Sequence, residues 1–133
     1  MHKKILALGA GHSGLAVAAG EFGAHGLQRV TSDPKILQIY QTAVQYQGWH
    51  ALALILVAIL FSGTGNHNLL KYTGYCFLTG IILFSGSLYL LTLLKIKESG
   101  MSRMIGPVTP IGGLFFIAGW ILLLLAVLKK EKS

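Results

Sequence analysis

Residues 77–94 read FLTGIILFSGSLYLLTLL and residues 112–128 read GGLFFIAGWILLLLAVL, with no Asp, Glu, Lys or Arg in either. An α-helix needs about 20 mostly apolar residues to cross the hydrocarbon core of a bilayer. No water reaches backbone N–H and C=O groups there, so a single crossing segment must pair them internally, as a helix does. These two stretches set the fold class: all-α and embedded in a membrane.

Two further segments extend the pattern. HALALILVAILFSG (residues 50–63) is apolar, and residues 5–24 are rich in glycine and alanine, with Glu21 near their end. The expected spans are residues 5–24, 49–65, 72–94 and 108–128. The composition agrees. Of 133 residues, 53% are hydrophobic and 11% charged, against about 25% charged in a soluble domain. Mean hydropathy is +0.66. Too few charged side chains are present to coat a water-facing surface, which excludes an ordinary soluble enzyme and a disordered chain. A single cysteine, Cys76, excludes an internal disulfide and a cysteine-cluster metal site.

The net charge of +7 raises the question of nucleic acid. Its distribution argues otherwise, because Lys3, Lys4, Arg29, Lys35, Lys71, Lys95, Lys97, Arg103, Lys129, Lys130 and Lys132 all border apolar segments. Charges so placed suit lipid headgroups, whereas a nucleic-acid face would cluster them. No nucleic-acid partner is expected. Residues 5–24 also carry the outline of a signal peptide, two lysines before an apolar stretch. Gly9, Gly11, His12 and Gly14 interrupt that stretch and favour a packed span. The pairs Ala10/Gly14, Ala16/Gly20 and Ala19/Gly23 have the small-residue spacing that lets membrane helices approach closely.

Residues 25–47 form the polar connector. Asp33 and Pro34 signal a helix start. Ile36, Leu37, Tyr40, Ala43 and Val44 then share one face, opposite Lys35, Gln38, Gln41, Thr42 and Gln45. The expectation is an amphipathic interfacial helix over residues 34–48 that bends near Gly48 into the second span, with Tyr46 and Trp49 at headgroup level. SGTGNHN (62–68) and KIKESGMSRMIGP (95–107) are turns, and Thr109-Pro110 offers a second cap-plus-proline start. An even number of spans puts both termini on one side. Six Lys/Arg on that side against five opposite favour cytoplasmic termini in a cell membrane.

Ionisable groups at membrane depth are functional candidates by default. Glu21 and His25 stand four apart on one helix face, and His50 opens the second span. Drawn together near one end of the bundle, the three would form a polar cluster able to relay protons, bind a small ligand or hold a haem iron. The plainer account is that Glu21 pairs with His25 at the interface. His12 is expected to hydrogen-bond between helices, and His2 and His67 to be solvated. In FSGSLY (84–89) the serines are expected to bond back to the preceding turn, with Gly86 admitting a neighbouring helix. The sequence holds no GxSxG, HExxH, P-loop or CxxC motif.

Four ordered motifs, GEFGAHGL (20–27), YQTAVQYQGWH (40–50), FSGSLY (84–89) and TPIGGLFFIAGW (109–120), resemble the YgdD/YwdK-type family of small four-span bacterial inner-membrane proteins of unknown function. The resemblance covers nearly the whole chain. Glu21 departs from it, since the family pattern carries Ala there, so the resemblance implies no role for Glu21. His25, Tyr46, Gln47 and His50 sit on the pattern, and the resemblance makes them the better site candidates.

The reading is therefore a non-enzymatic four-helix membrane protein with a small polar site for a lipid or small ligand near His25 and His50. Tyr46, Gln47 and Glu21 complete that site. No catalytic residue, metal or cofactor is expected. Two alternatives are an oligomeric carrier or channel and a haem- or quinone-linked redox subunit. The expected partners are the bilayer, that ligand, and a second copy or a larger membrane complex.

Overall fold

A computed structural model describes residues 2–63 and 66–129. The expected end of the second span at Gly65, and Lys130 and Lys132 of the terminal basic run, lie outside them. Four long helices follow one another: α1 (His2–His25), α2 (Pro34–Leu60), α3 (His67–Ile96) and α4 (Val108–Leu128). A 3-10 turn, Leu27–Arg29, follows α1, and a single helical turn, Ser102–Ile105, precedes α4. With 21 to 30 residues each, the helices run about 32 to 45 Å at 1.5 Å per residue, enough to cross about 30 Å of hydrocarbon. Large apolar side chains face outward on every one of them, among them Leu15, Leu52, Ile82 and Leu124. An apolar outer surface is what lipid requires, so this is a membrane bundle.

The helix starts follow local chemistry. Asp33 accepts a hydrogen bond from the Lys35 amide at 2.9 Å, with Pro34 at the first helical position. Asn66 caps α3 by accepting from the Leu69 amide at 3.2 Å. The Thr109-Pro110 start is corrected: α4 begins at Val108 with no side-chain cap, and the Thr109 hydroxyl bonds to Ser87 instead. The bend at Gly48 is corrected too. Residues 34–60 form one continuous helix, so the expected interfacial helix and second span are parts of a single element whose first turns pack along α1.

Inside lipid there is little hydrophobic drive between helices, so close packing must hold them together. The α3–α4 seam supplies it by exchanging aromatics for glycines. A Cβ at Gly119 would fall 2.6 Å from the Phe77 ring, one at Gly80 would overlap the Phe116 ring, and one at Gly112 would meet the Phe84 Cα at 2.8 Å. On α1, a Cβ at Gly9 would sit 2.9 Å from the Ala51 carbonyl, and one at Gly23 would press into the Tyr40 ring at 2.7 Å. Ala16 is buried and Gly20 lies close to Val44, so two of the three small pairs on α1 face α2. Ala10 and Gly14 do not; they turn outward.

α3 ends in a Schellman motif: the Ser99 amide donates to the Leu94 carbonyl and the Glu98 amide to the Lys95 carbonyl. Glu98 thereby takes a left-handed φ of 54° at the position glycine usually fills.

Two stability predictions follow from this backbone. Gly112→Ala should cost about 2 kcal/mol in a reversible unfolding titration in mixed micelles, because a backbone neighbour cannot move aside as a side chain can. Glu98→Gly should stabilise by about 1 kcal/mol in the same assay by relieving the left-handed strain.

Candidate functional site

The buried face of α2 carries Tyr40, Ala43, Gln47, His50, Leu54 and Val57, at steps of three and four residues. Polar and apolar residues share this seam, and the polar ones make two distinct layers.

The first layer lies between α1, α2 and α3. Gln47, only 5% exposed, bridges its neighbours. Its Nε2 donates to the His12 carbonyl at 3.1 Å, and its Oε1 accepts from the Tyr89 hydroxyl at 2.6 Å. Two turns earlier the Tyr40 hydroxyl donates to the Ala19 carbonyl at 2.6 Å, and the Tyr40 and Tyr89 rings meet edge-on at 5.4 Å. In α3 the regular helix widens into a π turn over Ile81–Ser85, a local change often found at functional sites. Ser85 closes that turn and donates to the Ala43 carbonyl at 2.8 Å. Around these groups runs a cleft of about 500 Å³ lined by His12, Leu15, Ala19, Tyr40, Gln47, Ile81, Ile82, Ser85, Gly86 and Tyr89.

His12 contributes its carbonyl to Gln47, but its imidazole Nδ1 is buried without a hydrogen-bond partner among the described residues. The expected helix-to-helix hydrogen bond is therefore made by the backbone and not by the ring. Gly86 also differs from expectation. No neighbouring helix approaches it; a Cβ there would meet open space. Ser87 does bond back to the Phe84 carbonyl at 2.8 Å, whereas Ser85 reaches across to α2.

The second layer is centred on His50. Trp120 Nε1 donates to His50 Nε2 at 3.0 Å, and His50 Nδ1 lies 2.8 Å from the Tyr46 carbonyl. An indole N–H can only donate and a carbonyl can only accept, so the ring must be neutral with its hydrogen on Nδ1. The imidazole also stacks on Phe116, with centroids 3.6 Å apart, and meets Phe77 edge-on. Both nitrogens are occupied. In this arrangement neither His50 nitrogen presents a free lone pair to a metal. Tyr46 packs on Phe84, with centroids 4.5 Å apart, and lines an aromatic groove with Trp49, His50, Phe116 and Trp120.

Glu21 and His25 stand apart from both layers. They pair with each other at 3.3 Å, with side chains 72% and 78% exposed. His25 lies thirteen residues beyond His12 on α1, about 20 Å along the axis. The structure thus separates the expected trio: His25 and Glu21 sit at the helix end, His50 in the core. Of the sequence candidates, Gln47 lines the cleft, while Tyr46 and His50 build the aromatic layer. The sequence marks His12 and the FSGSLY motif, which holds Ser85 and Tyr89, as structural, and it singles out neither Tyr40 nor Trp120 for the site. Their hydrogen bonds join residues 21 to 70 positions apart. His67 is exposed and stacks on Phe61.

Four apolar helices around a polar intramembrane layer define a small multi-span membrane protein. Comparison with known proteins gives the family. Residues 19–113 match the family described as "Protein of unknown function (DUF423)", and the chain belongs to it. It is 44% identical to a UPF0382 membrane protein of Staphylococcus aureus (strain bovine RF122 / ET3-1), across 96% of this chain and 97% of that protein. It is 42% identical to one of Staphylococcus haemolyticus (strain JCSC1435), with the same shares covered. With the UPF0382 membrane protein YwdK of Bacillus subtilis (strain 168) it shares 41%, across 96% and 98%. No solved structure gives a significant match.

The single tautomer is testable. Nitrogen NMR of histidine-labelled protein should show His50 as the neutral Nδ1–H form, and Trp120→Phe should cost about 1 to 3 kcal/mol by leaving Nε2 buried and unpaired. An Nε2–H signal for His50 would contradict the assignment.

Proposed function

We propose that the protein acts by binding an amphiphile within the bilayer, in the cleft between α1, α2 and α3, and not by catalysis. The observation that carries this reading is the cleft itself: hydroxyl, amide and imidazole groups converge among Leu15, Ala19, Ile81 and Ile82. A few placed polar groups in an otherwise apolar concavity are the usual build of a ligand site. The site moves accordingly from the neighbourhood of His25 and His50 to Gln47 and its partners. Catalysis lacks support because the Ser85, Tyr40 and Tyr89 hydroxyls donate to carbonyl or amide oxygens, so none is activated as a nucleophile by a base. We place the protein in the cell membrane with cytoplasmic termini, supported by the excess of Lys and Arg on the terminal side.

Gly86 offers the test, because a side chain there enters open space and can block the cleft without displacing a helix. In phosphatidylcholine nanodiscs, diazirine-tagged hexadecanol should label the wild type saturably within residues 12–19 and 81–89. Gly86→Leu should lower that labelling by about fivefold or more, which is about 1 kcal/mol of binding, with its circular dichroism unchanged. Labelling that does not saturate, or that ignores Gly86→Leu, would refute the cleft. For orientation, a green fluorescent protein fused at the C-terminus should fluoresce in a bacterial host, and an alkaline phosphatase fused there should be inactive.

A further inference from the structure

The cleft reading leaves open which headgroup the cleft accepts, and the hydrogen-bond directions within it narrow the answer. None of the residues that line it is Asp, Glu, Lys or Arg. A phosphate or ammonium placed there would lose its hydration with no carboxylate, ammonium or guanidinium to pair with and only the His12 imidazole beside it, which is costly at membrane depth. The headgroup is therefore uncharged.

The direction of each hydrogen bond then separates uncharged groups. A hydroxyl has one hydrogen and two lone pairs. Tyr40 directs its hydrogen to the Ala19 carbonyl, Ser85 to the Ala43 carbonyl and Tyr89 to Gln47 Oε1. Each of these three oxygens keeps lone pairs and no hydrogen, so toward a ligand it can only accept. Gln47 Nε2 has two hydrogens and directs one to the His12 carbonyl, which leaves one to donate. The unpaired His12 Nδ1 adds a further position. A ligand that only accepts, such as an ether, ester or quinone carbonyl, would meet three oxygen acceptors and one amide hydrogen, beside a His12 nitrogen that donates or accepts according to its tautomer. A hydroxyl can donate to one oxygen and accept from Gln47 at once.

We infer that the cleft recognises an uncharged, hydroxyl-bearing amphiphile, such as a long-chain alcohol or an acylglycerol. This assignment rests on the cleft reading above. The experiment compares three diazirine-tagged probes with the same hexadecyl chain, in phosphatidylcholine nanodiscs holding the full chain: the alcohol, its methyl ether and its phosphate monoester. The alcohol should label the cleft with a half-saturating concentration about fivefold to tenfold lower than the ether, the worth of one hydrogen bond, and the phosphate should bind no better than the ether. Tyr40→Phe and Ser85→Ala should each narrow the alcohol-to-ether preference, and agreement between the two guards against a local packing effect in either. Equal labelling by alcohol and ether, or stronger labelling by the phosphate, overturns the hydroxyl assignment and leaves the cleft standing. Failure of all three probes to label above the Gly86→Leu background overturns both.

Discussion

Everything in this bundle depends on how closely α3 and α4 approach. Lipid tails are as apolar as leucine, so helices in a bilayer gain little from hiding apolar surface and must gain from fit. Phe77, Phe84 and Phe116 supply bulk, and Gly119, Gly112 and Gly80 supply the matching absence of side chain. The residue numbers of each facing pair add to the same value, as they must when antiparallel helices keep one register. Ser87 and Thr109 extend that register by a hydroxyl contact of 2.6 Å. With α3 and α4 fixed, Trp120 reaches His50, and α2 is anchored in turn.

α2 then works in two directions. Toward α4 it presents His50, whose two nitrogens both have partners and whose ring stacks on Phe116. Toward α1 it presents Tyr40 and Gln47, which hold α1 by two hydrogen bonds to backbone carbonyls. α1 is the least buried of the four spans, and these bonds add to the close packing of Gly9, Ala16 and Gly23 against α2. The same hydroxyl and amide groups border the cleft, so one set of residues both seats α1 and leaves hydrogen-bonding capacity for a guest.

Much of the fold was legible from the residues alone. Uncharged runs marked the spans, and Asp33-Pro34 marked the start of α2. What periodicity could not show was that the buried face of α2 continues through Gln47 and His50. Scoring residues as apolar or polar puts these two on the outside, whereas the bundle buries them with partners on other helices. The break at Gly48 was expected for the same reason: a stretch that changes from amphipathic to apolar looks like two elements, whereas α2 runs through it as one. The trio of Glu21, His25 and His50 came from their ionisable character. Chemistry alone could not reveal that His25 and His50 lie at different depths. Thr109 likewise has the chemistry of a cap, yet a facing serine claims its hydroxyl.

The middle stretches of all four helices, residues 5–20, 36–60, 72–94 and 108–128, contain no aspartate, glutamate, lysine or arginine. A transmembrane voltage does work only on charge, about 2.3 kcal/mol for each elementary charge carried across 100 mV. These stretches offer it no carboxylate, ammonium or guanidinium to pull on. A change of voltage across the membrane would find none of these four residue types to move inside the bundle, where shape and hydrogen bonding do the work instead.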